Sequence, residues 1–116
     1  MIFRGDIVTV AIQGDYGKPR PAVVIQSDSM AQLPTVVVCP VTSTIREADF
    51  RLQVEPTADN GLERSSQVMA DKVLTVRRHK LGPRIGTLTK PQLRQLEARL
   101  AQVMGFGEQP AAQAQP

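Results

Sequence analysis

Thr35-Val36-Val37-Val38-Cys39-Pro40-Val41-Thr42 is the stretch on which the fold turns. Its β-branched residues suit a pleated, extended backbone, and apolar side chains fall on both faces, so it reads as a buried strand. Pro40 has no N–H to give a neighbouring strand, which predicts a bulge or an edge position there. Working back from it, Ala22-Val23-Val24-Ile25-Gln26 is a second strand, apolar on both faces and so expected at the centre of a sheet. Ile7 to Ile12 alternates as a half-buried strand, and Gln13 to Pro19, with two glycines and a proline, is a loop. Working forward, Phe50, Leu52 and Val54 alternate with polar residues in a one-sided strand, and Asp59-Asn60-Gly61 marks a turn. Short strands are expected at Gln67 to Ala70, Val73 to Val76 and Ile85 to Leu88.

The period then changes. Thr89-Lys90-Pro91-Gln92 has the form of a capping box, with Leu88 and Leu93 placed as a hydrophobic staple. Leu93, Leu96, Leu100, Val103 and Met104 share one helical face, and Gly105 ends the helix. Five to seven short strands and one C-terminal amphipathic helix predict a mainly β fold, a small, strongly bent barrel of the SH3-like kind. With 116 residues the chain is expected to form one domain over residues 1–106. The Ala/Gln/Pro-rich residues 107–116 are expected to be a disordered tail.

Composition narrows the function. No apolar run approaches the roughly 20 residues of a membrane helix. The N-terminal residues lack an apolar signal core, so the cytoplasm is the expected compartment. One cysteine rules out an internal disulfide, and Cys39 reads as small core filler. One histidine and scattered carboxylates give no metal-binding spacing, so no metal or cofactor is expected. Asp49, Glu55, Asp59 and Glu63 read as a solvated rim, and His79, within Arg77 to Lys80, as part of a basic turn. The formal charge of +3 permits an anionic partner. Aromatic residues make up only 3%, which disfavours modules that stack bases on a sheet.

Two segments carry polar groups that folding does not demand. In Lys18-Pro19-Arg20-Pro21, prolines on both sides stiffen the backbone around one guanidinium. In Pro40-Val41-Thr42-Ser43-Thr44, a buried strand ends in hydroxyls, which also commonly cap turns. A fixed guanidinium beside hydroxyl donors could hold a phosphodiester and stabilise its pentavalent transition state.

Several segments resemble the MazF/PemK family of toxins. Arg4-Gly5-Asp6-Ile7-Val8 is similar to its R-G-D/E-I-hydrophobic opening, and Lys18-Pro19-Arg20-Pro21-Ala22-Val23-Val24-Ile25 to its R-P-A/V-hydrophobic strand. Val38-Cys39-Pro40-Val41-Thr42-Ser43 is similar to its V-x-P-V/I-T-S/T segment. Gln67-Val68-Met69-Ala70-Asp71-Lys72-Val73 resembles its segment ending D-Q-hydrophobic, and Gly86-Thr87-Leu88 its last strand. The likeness runs in order from residue 4 to residue 105.

The resemblance implies an SH3-like barrel homodimer that cleaves single-stranded RNA within short motifs, without metal, and is neutralised by a MazE/PemI-like antitoxin. It implies 2′,3′-cyclic phosphate and 5′-hydroxyl ends. It assigns Arg20 as acid and phosphate ligand, Thr42 as a donor to the phosphate, and Asp71 as a third catalytic candidate. Candidate substrate contacts are Asp15, Tyr16, Lys18, Ser43, Gln67 and Lys72. The chain departs from many relatives in its shortened loop between the first two strands, which lacks their glutamate or histidine and leaves the general base unassigned. Met69 stands where some relatives have arginine. Other readings of the same barrel are a CcdB-like gyrase poison and an RNA-binding module without cleavage.

Overall fold

Residues 1–11 and 18–109 are described by the computed structural model of the chain. Asp15 and Tyr16, like Ile12 and most of the expected tail, lie outside the described residues. The chain order is β1 (Asp6–Ala11), β2 (Pro19–Val24), β3 (Thr35–Thr42), β4 (Leu52–Val54), β5 (Ser66–Val68), β6 (Leu74–Arg77), β7 (Leu81–Thr87) and α1 (Lys90–Met104). Neighbouring strands run in the order β4-β5-β3-β2-β1-β7, with β6 also beside β3, and every pairing is antiparallel.

The sheet curls because it is apolar on both faces. Val8, Val10, Ala22, Val24, Val36 and Val38 form one buried cluster, and Leu74 and Val76 of β6 pack on it together with Leu81 of β7. Those residues come from opposite ends of the row β7-β1-β2-β3-β6, so the two ends bend round towards one another. The other face holds Ile7, Val23, Cys39 and Val41, covered by Leu52 and Val54 of β4, Val68 of β5 and Leu96 of α1. The result is an antiparallel half-barrel with a helix laid on its outside. Both faces of β1 are buried, with Ile7, Val8 and Val10 almost wholly so; the expectation of a one-sided strand understated this, since the curl supplies a second core.

β2 lies centrally, as its apolar run predicts, but begins three residues earlier than expected, at Pro19. Phe50 falls in a turn and β4 is correspondingly short. Pro40 is neither at a bulge nor at an edge. It lies inside β3 where the partner strand changes from β6 to β5, and there Met69 N–H donates to its carbonyl at 2.9 Å. A ladder donor is not needed at the changeover, which is why proline is tolerated.

The helix starts as its sequence predicts. Thr89 Oγ1 accepts from Gln92 N–H at 3.1 Å and Gln92 Oε1 accepts from Thr89 N–H at 3.0 Å, closing the capping box. Gly105 ends it in a left-handed conformation, φ 70°. Leu96 is fully buried, whereas Val103 and Met104, expected on the packed face, are 40% and 47% exposed because the last turn overhangs the core. Arg4 ties the chain's start to this helix through Glu97 at 2.6 Å and to the end of β2 through the Ile25 carbonyl at 3.0 Å.

Candidate active site

The site begins where two strands part. β2 pairs with β3 only from Ala22 to Val24, opposite Pro40 to Val38. Before Ala22, β2 pairs with β1 alone, while β3 beyond Pro40 pairs with β5. A groove of about 670 Å³ opens in the wedge. Lys18, Pro19, Arg20 and Pro21 of the β2 side line it, with Pro40, Val41, Thr42, Ser43 and Thr44 of the β3 side. Both sequence segments singled out for phosphate chemistry therefore face one cavity.

A further wall comes from Gly61, Leu62, Glu63, Arg64 and Ser66. Asn60, 2% exposed, holds this wall in place. Its side-chain oxygen accepts from Thr57 N–H and Leu62 N–H, both at 3.0 Å, and its amide donates to the Glu55 carbonyl at 2.8 Å. The turn lies so close to β7 that a Cβ at Gly86 would collide with the Asn60 main chain, and one at Gly61 with the Ile85 carbonyl. Asp59-Asn60-Gly61 is thus a turn, as its sequence signals, and also a buttress.

Thr42 is set up as a donor. Its Oγ1 already accepts from Thr44 N–H at 3.1 Å, which leaves the hydroxyl proton to point elsewhere. The exposed Arg20 guanidinium lies on the facing side. Among the described residues, the lining carries three cations (Lys18, Arg20, Arg64) and one carboxylate, Glu63, so the groove favours an anion. Leu62, Met69 and Ile85 add apolar surface.

The remaining candidates lie elsewhere. Gln67 is opposite Thr42 in the register but is buried, and its amide is occupied by the Arg46 main chain. It accepts from Arg46 N–H at 3.2 Å and donates to the Arg46 carbonyl at 2.7 Å. Asp71 accepts from Arg51 Nε at 3.0 Å and from Nη2 at 3.1 Å in a bidentate pair. That guanidinium holds the Asp71 carboxyl below the usual carboxylate range, which makes it a weak proton acceptor. Neither Gln67, Asp71 nor the exposed Lys72 lines the groove, and His79 lies in the turn Arg78–Lys80 away from it. Cys39 is core, as expected: burial pushes its thiol up to about 12.

Arg64 and Glu63 are the charged lining residues that sequence reasoning missed as site residues. In the sequence Glu63 reads as part of a solvated rim, and the turn ahead of both gives no sign of which surface it faces. Asp6, from the matched opening segment, serves the fold: it is buried, accepts from Phe3 N–H at 2.8 Å and pairs with Arg84 at 3.1 Å.

Fold and groove together define a small β half-barrel protein with a cationic, hydroxyl-lined cleft. Residues 3–104 match the family model described as the PemK-like, MazF-like toxin of type II toxin–antitoxin system, and the chain belongs to that family. It is 39% identical over 105 residues to a probable endoribonuclease MazF of Mycolicibacterium smegmatis, covering 89% of this chain and 96% of that one. Among solved structures it is similar to the Mycobacterium tuberculosis toxin MazF-mt6, with TM-score 0.76, 27% identity, and coverage of 86% and 96% of the two chains. It shares its fold with an endoribonuclease from mycobacterial species in complex with its cognate antitoxin, with TM-score 0.79, 20% identity, and coverage of 95% and 100%.

Proposed function

We propose that this MazF-like toxin–antitoxin endoribonuclease cuts single-stranded RNA in the wedge between β2 and β3, with Arg20 and Thr42 acting on one phosphate. The observation that carries this is their placement on facing sides of one groove. The 2′-hydroxyl oxygen attacks its own phosphorus and the bond to the 5′-oxygen breaks. The products are a 2′,3′-cyclic phosphate and a 5′-hydroxyl. The proton of the attacking hydroxyl passes to water in the open groove. The leaving oxygen takes a proton from the Arg20 guanidinium, which recovers one from solvent, so the proton count balances.

The guanidinium presents parallel N–H donors to the equatorial oxygens, where charge grows in the transition state. Thr42 adds a hydroxyl donor, and Ser43 and Lys18 extend the contact along the strand ends. Arg64, on the third wall, takes a neighbouring phosphate, so the RNA is held at two points and kept in line for attack. Asp15 and Tyr16, which precede Lys18 in the sequence and lie outside the described residues, are further candidate contacts. Asp71, paired with Arg51, supports the fold rather than the reaction, and Lys72 lies outside the groove lining.

The active form is a homodimer, and its cognate antitoxin lays an acidic segment across the cationic groove, excluding RNA. The toxin acts in the cytoplasm; no helix among the described residues is long and apolar enough to cross a membrane. Purified protein in EDTA is expected to cut mixed-sequence single-stranded RNA into fragments with 5′-hydroxyl ends while sparing DNA. Intact RNA together with trapped gyrase would favour the gyrase-poison reading instead.

A further inference from the structure

We infer that Pro19 and Pro21 are positioning residues that stop β2 and β3 from zipping together, and so hold open the space that the phosphate enters. The inference rests on the RNA-cleaving reading of the groove. Its basis is the register. Ala22 is opposite Pro40, Val23 opposite Cys39 and Val24 opposite Val38. Extending that register by three residues sets Pro21 opposite Val41, Arg20 opposite Thr42 and Pro19 opposite Ser43.

The direction of each main-chain group follows from two hydrogen bonds. Val24 C=O accepts from Gly5 N–H at 2.8 Å, on the β1 side. Ile25 N–H donates to Val37 C=O at 3.1 Å, on the β3 side. Because the groups alternate along a strand, positions 21 and 19 face β3. Both are proline. The two donors that would carry the ladder on to Val41 and Ser43 do not exist, while pairing with β1, which uses the groups of Arg20 and Ala22, is intact.

The consequence is geometric. In a closed antiparallel ladder, residues directly opposite stand about 5 Å apart at their Cβ atoms, and a guanidinium and a hydroxyl so placed would contact each other. With the ladder stopped, β3 follows β5 and β2 follows β1, and the two groups face across the wedge.

Replacing both prolines by valine restores both donors and adds β-branched residues that favour the strand. Once the ladder closes, the Ser43 N–H donates to the carbonyl of residue 19, so the Ser43 amide is expected to exchange about tenfold more slowly with solvent. Cleavage of single-stranded RNA is expected to fall about a hundredfold, because the reacting groups are displaced. If the valine pair does not fold, Pro19→Ala with Pro21→Ala restores the same N–H groups and is read in the same way. Cleavage that persists with a protected Ser43 amide overturns the inference, and so does lost cleavage with an unprotected one. Arg20→Ala in the proline background separates the two claims. If that variant still cuts RNA, it is the catalytic reading that fails.

Discussion

Thr42 and Gln67 are cross-strand neighbours, yet the segments that carry them serve different ends. At the Pro40–Thr44 end of β3, side chains line an open groove, and the Thr42 hydroxyl accepts from Thr44 N–H without donating to any acceptor among the described residues. In the Gln67–Lys72 segment the protein itself supplies the partners: Arg46 satisfies Gln67, and Arg51 satisfies Asp71. Polar residues matched internally stabilise a structure, and those left facing solvent in a cavity can bind something else. The contrast predicts opposite mutational signatures for two adjacent stretches.

The largest expected effect is on the open side. Arg20→Ala and Thr42→Ala should each lower kcat/KM for RNA about 100- to 1,000-fold, the usual loss for one transition-state donor. Neither should shift the unfolding midpoint much, since neither side chain is buried. Cleavage that survives either change, measured with a quenched fluorescent RNA, would place the chemistry elsewhere.

Next comes the third wall. Asn60→Ala leaves the buried Leu62 N–H and two part-buried main-chain groups without their partner and should cost about 2 kcal/mol in urea unfolding. It should also weaken RNA binding by loosening Arg64, whereas an unchanged unfolding curve would contradict the buttress role. Arg64→Ala should make the salt dependence of RNA binding shallower by about 0.7 in log–log slope, the value for one single-strand phosphate contact. An unaltered slope would remove Arg64 from the binding surface.

The smallest effect belongs to the closed side. Asp71→Asn should lower stability by about 1 kcal/mol or less at neutral pH, because the pair is partly exposed. The folded carboxyl titrates below its ordinary value, so this contribution is fully present above about pH 4. It is lost as pH falls through the folded pKa, and the two stability curves should converge in acid. A variant that folds normally but has lost RNA cleavage would return Asp71 to the site.

Much of this was legible in the sequence. The valine runs of β2 and β3 marked a central sheet, the Thr89 box and Gly105 bounded the helix, and Arg20 and Thr42 stood out as a guanidinium between prolines and a hydroxyl at the end of an apolar strand. What escaped notice depended on tertiary placement. The curl that buries both faces of β1 arises from contacts between distant strands. The fate of Asp71 depends on Arg51, twenty residues away in sequence. Arg64 belongs to the groove only because a buried asparagine presses its loop against β7. Proline 40 misled because a missing donor implies an edge only when the same partner strand continues, and here the partner changes.

The central claim is that Arg20 and Thr42 grip one phosphate. A double-mutant cycle on binding of a non-cleavable RNA, 2′-deoxy at the cleaved position, tests it most directly. Joint action predicts that removing both groups costs less than the sum of the single losses, with a coupling of about 0.5–3 kcal/mol. Losses that simply add, within about 0.5 kcal/mol, would show that the two groups act on separate parts of the RNA.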